Sequence, residues 1–528
     1  MISLELNADP KAVAPATALL DRNDGAEPDA GKDTSARHAR VGRIMTALTQ
    51  LGLMQFAVAA GGVVRNKVMA VYLKPDGFGE FTQVFGIAAA VYGFVQFGMA
   101  VGLSRNVAAT QERKDRQRQL DSANLLTVGL ALGCLALLAP LLLTNASNTA
   151  LTALGVRPGF EQKAMLLLLL LVAPIEALRN NYVSFLQGIV DVKGLSSKRS
   201  LAIVASTVVA VPLIALFGAT GACIQAFVAS LFLALLLGRR CRTMGYAPLG
   251  FVWDKTTIVA LTSLGAASLV ILFAHNFMDT IIRAHLILTA GLAVNGLYQA
   301  AFTLSSQIAA VVLGSIGTYA VATLRQTTDK NVIMAGLEDL LRVVLPVSTI
   351  GLAGVGLLSE PFFSVLFSSQ FREGTKFLPL LLVANYIQVA SWVAGAPILG
   401  CRLIFTWIAI QLTSVAIRYF LAVLWSPVIG VYAVPAGFLT AMTFDVVANM
   451  FVCKFRLGVS LERRTLLTFF AGGATITTAA LVGCSAASLP AYVVGVGLLC
   501  CITAMMAWQE ANAALRNLIL RYQLLTQR

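Results

Sequence analysis

Residues 164–187 read AMLLLLLLVAPIEALRNNYVSFLQ. Ten apolar residues run unbroken from Ala164 to Ala173, followed by Pro174, by Glu176 and Arg179 one turn apart, and by Asn180 and Asn181. A helix that is apolar on every side lies in the core of a large protein or in lipid. The stretch is close to the ~20 residues needed to cross a hydrocarbon layer about 30 Å thick. Composition decides between the two. Hydrophobic residues make up 58% of the 528 and charged residues only 12%, against roughly 45–50% and about 25% in a soluble domain. Mean hydropathy is +0.79. So little charge cannot coat a soluble globule of this size, so lipid is the solvent for most of the chain.

Working outward, similar runs recur at 46–72, 81–104, 123–144, 164–187, 200–217, 219–238, 257–276, 298–323, 340–366, 377–400, 403–424, 428–452, 466–485 and 489–507. The reading is an all-α polytopic membrane protein of about 14 transmembrane helices. A split is expected at Gly218, and 277–297 has room for an interfacial segment or half-helix. Residues 1–43 mix acids and bases without an apolar stretch and read as a disordered tail, with a candidate interfacial helix at Arg37–Arg43.

The net charge of +14 comes from bases in the loops between runs. Arg105, Arg113, Lys114, Arg116 and Arg118 fall on one side, with Lys193, Lys198, Arg199, Arg239, Arg240, Arg242, Lys255, Arg325, Lys330, Lys454, Arg456, Arg463 and Arg464. The opposite loops hold Lys74, Arg157, Lys163, Arg372 and Lys376. Bases mark the cytoplasmic side, so both termini are expected in the cytoplasm. The same charge without interleaved aromatics gives no nucleic-acid surface. Eight cysteines without C-x-x-C, and three scattered histidines, make no metal site; most of the thiols fall in apolar runs as small hydrophobes.

The chain also repeats itself. Arg65 followed by Gly77-Phe78-Gly79-Glu80-Phe81 is matched in the second half by Arg283 followed by Asn295-Gly296-Leu297-Tyr298. Phe185-Leu186-Gln187-Gly188 is matched by Ile398-Leu399-Gly400, and Gly218-Ala219-Thr220-Gly221 by Pro427-Val428-Ile429-Gly430, which aligns Gly218 with Pro427. An even number of spans per half makes the two six-helix repeats parallel, with a site expected between them.

Charge inside a span costs roughly 2.5–3.5 kcal/mol on insertion scales and marks candidate functional residues. The basic set is Arg65, Lys67, Arg179, Arg283 and Arg418, with Asn66 beside the first pair. Arg65 and Arg418 have no acid one turn away, which points to a wet cavity holding an anion. Glu176, Asp279 and Asp445 are the acids, candidates for a coupling ion such as H+ or Na+. Glu176–Arg179 and Asp279–Arg283 can equally pair along their own helices, Lys67 and Arg283 can snorkel to an interface, and Asp445 can pair with Arg418. No nucleotide-binding phosphate loop and no catalytic constellation is present, so the expectation is a transporter and not an enzyme.

The stretch Arg65-Asn66-Lys67-Val68-Met69-Ala70-Val71-Tyr72-Leu73-Lys74-Pro75-Asp76-Gly77-Phe78-Gly79 resembles the first-helix signature of bacterial polysaccharide (O-antigen type) flippases of the multidrug/oligosaccharidyl-lipid/polysaccharide exporter superfamily. There, Gly-Pro-x-Gly-x-Gly precedes the second helix, and Lys74 stands here in place of the first Gly. Glu360-Pro361-Phe362 to Phe371 and Ile429-Gly430-Val431-Tyr432-Ala433 are similar to later junctions of that family. The resemblance covers about residues 44–465.

The resemblance implies a V-shaped pair of lobes, 44–242 (spans one to six) and 243–465 (spans seven to twelve), followed by spans thirteen and fourteen in 466–507 and a cytoplasmic tail at 508–528. It further implies alternating access through a cationic central cavity in a bacterial inner membrane. The cargo would be an undecaprenyl-pyrophosphate-linked oligosaccharide, moved to the periplasmic leaflet for polysaccharide synthesis. Membrane lipids are partners, and a polysaccharide polymerase and chain-length machinery are candidate ones. The alternatives are a peptidoglycan-precursor flippase, a cation-coupled multidrug antiporter, or a non-transport scaffold.

Overall fold

The structure, a computed structural model, describes residues 30–324, 330–401 and 403–485. Every regular element among them is helical. The first helical stretch, Ala30–Gln96, is broken at Lys74 (φ 58°, ψ 179°) into α1 (30–73) and α2 (75–96). α3 is Met99–Ala109, α4 Arg113–Leu143, α5 Ala146–Ala153 and α6 Phe160–Gly188. Val192–Thr243 breaks at Gly218 (φ 56°, ψ −131°) into α7 (192–217) and α8 (219–243), which places the split at the glycine where it was expected. α9 is Lys255–Ala290, α10 Leu292–Leu324, α11 Lys330–Leu357 and α12 Ser359–Leu366. A 3-10 stretch, Ser369–Phe377, leads into α13 (Leu378–Gly400), α14 (Ile404–Ile429), α15 (Ala433–Arg456) and α16 (Arg463–Ser485).

Nine stretches among the described residues are long and apolar enough to cross a membrane, several containing one of these breaks. The span at 489–507 lies outside the described residues. Helical backbone begins at Ala30, within the segment read as a disordered tail; Ala36, Arg37, Ala39, Arg40 and Arg43 are strong helix formers. Residues 1–29 and 508–528 lie outside the described residues. No separate segment occupies 277–297. α9 runs on to Ala290, and Gly291 (φ 94°) alone separates it from α10. The span expected at 340–366 is α11 plus α12, with a break at Leu358. Its helix starts early, at Lys330, because Glu338 and Arg342, which lower the local hydropathy, are paired with each other and with Glu462.

The described residues pack as two compact units. One is built from Gln83–Thr280 and the described part of Met1–Gly62; the other from Val63–Thr82 and the described part of Ile281–Arg528. In the first, Met99, Leu103, Leu120, Phe185, Leu186, Leu237 and Leu261 form a core of buried side chains. Gly98 and Gly265 let α3 and α9 touch backbone to backbone: a Cβ on Gly98 would lie 2.0 Å from Gly265 O.

The repeat is written in the backbone. At the end of α6, Ile189 N donates to Phe185 O and Asp191 N to Leu186 O; at the end of α13, Cys401 N donates to Pro397 O and Leu403 N to Ile398 O, each atom one repeat further along. Gly218 and Gly430 share one conformation, φ 56° and ψ −131° against φ 58° and ψ −132°, which side chains rarely tolerate. That pairing corrects the register of the third correspondence: Gly218 aligns with Gly430 and not with Pro427, in step with the α6 and α13 ends. Pro427 lies inside α14 and does not open the next helix. The turns before α2 and α10 align Lys74 with Gly291 and Gly79 with Gly296. Here the copies meet: a Cβ on Gly79 would lie 2.2 Å from Leu292 O, and one on Gly296 would lie 2.0 Å from Pro75 O. Leu292 is the repeat mate of Pro75, so the contact is self-complementary and marks a local two-fold relation between the two helix starts.

Candidate functional site

Arg65, Asn66, Lys67, Arg283, Arg418 and Asp445 all fall in the second unit, whereas Glu176, Arg179 and Asp279 fall in the first. Arg65 is exposed on α1, eight residues before its end, which is about 12 Å of helix. Among the described residues, no hydrogen bond or ion pair holds its guanidinium. Asn66 beside it is buried. Lys67 is engaged: its Nζ donates to Ser364 O at 3.0 Å, in the last turn of α12, where carbonyls lack helical partners and a cation offsets the helix dipole.

Arg283 is half-buried on α9 and donates from Nη1 to Thr82 O at 3.3 Å. The same turn is tied by Asn295 Nδ2 to Gly79 O at 2.9 Å and Thr82 Oγ1 to Gly79 O at 3.0 Å. In the register that aligns Gly79 with Gly296, Arg283 is the mate of Asn66, not of Arg65. The two arginines therefore occupy adjacent, not equivalent, positions of the repeat. Asp279 is half-buried one turn before Arg283 on the same continuous helix.

Arg418 sits in the middle of α14 with 8% of its surface exposed. Its guanidinium lies over the ring of Phe438 at 4.6 Å and that of Phe302 at 5.8 Å. Gly437 lets the backbones of α14 and α15 approach here, since a Cβ on it would lie 2.9 Å from Arg418 O. Aromatic faces stabilise a desolvated cation by about 2 kcal/mol or more, and two such rings line this charge, for which a wet cavity holding an anion was expected. Asp445 is buried and accepts from Ser391 Oγ at 2.7 Å and Gln411 Nε2 at 2.8 Å, while Asn449 Nδ2 donates to Ser391 Oγ at 2.9 Å. Ser414 Oγ to Ala441 O sets the antiparallel register of α14 and α15. In it Asp445 is level with Gln411, two turns from Arg418.

In the first unit the pairing alternative is realised. Arg179 Nη2 meets Glu176 Oε2 at 2.5 Å and donates to Asn180 Oδ1 at 3.0 Å. Ser230 Oγ donates to Glu176 Oε1 at 3.0 Å, and Asn180 Nδ2 to Gln96 Oε1 at 3.2 Å. A neutral network lies beside it: Asn181 Nδ2 donates to Asn124 Oδ1 at 3.1 Å and Thr127 Oγ1 at 2.8 Å. Gln96, Asn124, Ser230, Ser391, Gln411 and the rings of Phe302 and Phe438 were not among the expected site residues. The signal available for them was an amide or hydroxyl inside an apolar run.

Outside the spans, Arg240 donates from Nε to Asp191 Oδ2 at 2.7 Å and from Nη2 to Oδ1 at 3.0 Å. These bonds hold the Asp191 carboxyl below the usual carboxylate range.

The family model of the polysaccharide biosynthesis proteins matches residues 47–322, more than half of the chain. The chain belongs to that family. No curated protein sequence matches it. Among solved structures, an inward-facing multidrug resistance MATE family transporter of the MOP superfamily is similar at a TM-score of 0.60, with 13% identity over 81% of this chain and 98% of that one. An outward-facing conformation of a multidrug resistance MATE family transporter matches at 0.55, with 14% identity over 82% and 96%. A MOP superfamily transporter from Pyrococcus furiosus, whose binding pocket is described as reversed in polarity, matches at 0.53, with 14% identity over 82% and 96%. These identities speak for the fold: this member of the polysaccharide biosynthesis family is a polytopic membrane protein with the helical architecture of MOP transporters.

Proposed function

We propose that the chain is a flippase for an undecaprenyl-pyrophosphate-linked oligosaccharide, moving it by alternating access from the cytoplasmic to the periplasmic leaflet of a bacterial inner membrane, with both termini cytoplasmic. Family membership supports a role in polysaccharide synthesis, and the loop-base asymmetry supports the orientation. The observation that carries the cargo assignment is Arg65, an exposed residue within a membrane-spanning helix whose guanidinium no described group holds. Such a charge is expensive against lipid and favourable toward water or an anion. A pyrophosphate offers acceptor oxygens that match its planar fork. Asn66 and Arg283 are further candidates for contacts to the cargo, Lys67 positions the end of α1, and Arg179 and Arg418 hold charge in reserve in paired or aromatic settings. Glu176, Asp279 and Asp445 are the candidates for a coupling ion, H+ or Na+. A polysaccharide polymerase and chain-length machinery are the proposed partners downstream.

The test is export of surface glycan in a strain whose own copy is deleted and replaced by Arg65→Ala, Arg65→Lys or wild type, each normalised to protein in the membrane. Charge-assisted contacts contribute about 1.5–3 kcal/mol, so alanine should lower export about ten- to a hundredfold and lysine should restore part of it. Wild-type export by the alanine variant at normal abundance would remove the support for an anionic cargo. Drug sensitivity without a glycan defect on deletion would favour a multidrug antiporter instead.

A further inference from the structure

The segment joining α8 to α9, Met244-Gly245-Tyr246-Ala247-Pro248-Leu249-Gly250-Phe251-Val252-Trp253-Asp254, runs between two membrane-crossing helices and is strapped along its length. From α4, Arg113 Nη2 donates to Gly245 O, and Gln117 donates to Ala247 O at 2.9 Å while accepting from Ala247 N at 2.8 Å. Asn124 Nδ2 donates to Pro248 O at 3.0 Å, and Ser122 Oγ to Val252 O at 3.1 Å. From α6, Tyr182 Oη donates to Pro248 O at 2.9 Å. The Tyr246 ring packs edge-on to Phe185 at 4.8 Å, with Arg113 over its face. Asp254 closes the segment by accepting from Thr256 and Thr257 at the start of α9.

The strap partners the carbonyls of Gly245, Ala247, Pro248 and Val252, and the large apolar side chains of the segment stand outward. Leu249 is 63% exposed, Phe251 48%, Val252 42% and Trp253 72%. Bare carbonyls resist entry into a bilayer, so these partners lower the cost of holding irregular backbone at its boundary. Arg239, Arg242 and Lys255 are exposed at the two ends. The acid within the segment, Asp254, is occupied with its helix start.

We infer that residues 244–254 form a lipid-binding surface on which Leu249, Phe251, Val252 and Trp253 enter the headgroup–acyl boundary and Arg239, Arg242 and Lys255 take anionic phospholipid headgroups. Three observations select this occupant. Both ends are anchored to spans, which holds the segment at membrane level. Tryptophan and phenylalanine beside bases are the side chains that bilayer interfaces favour. The flanking charge, Arg239, Arg242 and Lys255 against the one acid Asp254, is net positive, as the anionic leaflet requires. The surface is independent of what the protein carries; the proposed orientation decides only that the leaflet is the cytoplasmic one.

The experiment uses the full chain with Trp392, Trp407, Trp425 and Trp508 replaced by Phe, reconstituted in phosphatidylcholine vesicles with or without phosphatidylglycerol. Acyl chains brominated near the headgroup should quench Trp253 at least about twofold, and aqueous iodide should quench it weakly. Brominated phosphatidylglycerol should quench more than brominated phosphatidylcholine at equal fraction. That preference should fall about fivefold for each of Arg239→Gln, Arg242→Gln and Lys255→Gln. Because the tryptophan replacements are numerous, unmodified protein is also tested with a photoactivatable phosphatidylglycerol, which should crosslink to the peptide carrying residues 249–253. Iodide quenching without lipid quenching, or no crosslink to that peptide, would overturn the inference.

Discussion

Replacing Gly79 by alanine would place a Cβ 2.2 Å from Leu292 O and 2.9 Å from Gly296 N. Both neighbours are backbone, so no rotamer change relieves the overlap. With heavy-atom contacts normally near 3.5–4.0 Å, the starts of α2 and α10 must separate by about 1 Å or more. Overpacking of this kind costs about 1–3 kcal/mol, and the upper half applies because backbone must move. Gly296→Ala meets Pro75 O at 2.0 Å and should cost a similar amount. Each substitution pushes apart the same two segments, so the double variant should cost clearly less than the sum. Gly129→Ala and Gly133→Ala, which meet nothing within 4 Å, are the controls. The assay is thermal unfolding of purified protein in detergent, with membrane abundance measured in cells. If Gly79→Ala unfolds with the controls, or the double variant is simply additive, the two-fold contact is misplaced.

Lys74 holds a φ of 58° that glycine adopts freely, and its repeat mate is Gly291. Relief of strain of about 1–3 kcal/mol, less about 0.5–1 kcal/mol for glycine's greater freedom when unfolded, should make Lys74→Gly net stabilising; a lower melting temperature would contradict that backbone. Asp191→Asn should cost about 1–2 kcal/mol, discounted because Arg240 keeps 35% of its side chain exposed. Asp191 has a depressed folded pKa, so its contribution should be full above the unfolded value near ~3.9 and fade as pH falls through the lower folded value. A difference between wild type and variant that persists unchanged at pH 2 would refute the pairing. Asp254 is held at about 2 by the Thr256 and Thr257 hydroxyls, so hydrogen exchange at the start of α9 should stay slow until the pH falls to about that value.

What could be read from sequence followed the range of the interaction involved. The split at Gly218 was legible because a glycine between two apolar runs is a local signal. The repeat was legible because Gly79 and Gly296, or Gly188 and Gly400, are fixed by the turns they serve. Its third register slipped from Gly430 to Pro427, because Pro427 resembles a helix start while it lies inside α14. The early start of α11 was hidden, since Glu338 and Arg342 look like loop residues until Glu462, far along the chain, is seen to pair with them. Charged positions could be listed but their company could not. Glu176 lies one turn from Arg179, so that pair was foreseeable. The rings around Arg418 come from α10 and α15, and the hydroxyl and amide on Asp445 come from α13 and α14.

A flippase of this kind moves its lipid-linked glycan between leaflets. The most direct test is purified protein in proteoliposomes carrying an undecaprenyl-pyrophosphate oligosaccharide, with a membrane-impermeant glycosidase reporting how much of the glycan is outside. Glycan placed only in the inner leaflet should become cleavable with wild-type protein, and about ten- to a hundredfold more slowly with Arg65→Ala. If folded wild-type protein leaves the glycan protected at the rate of protein-free vesicles, under both proton and sodium gradients, the flippase assignment is contradicted.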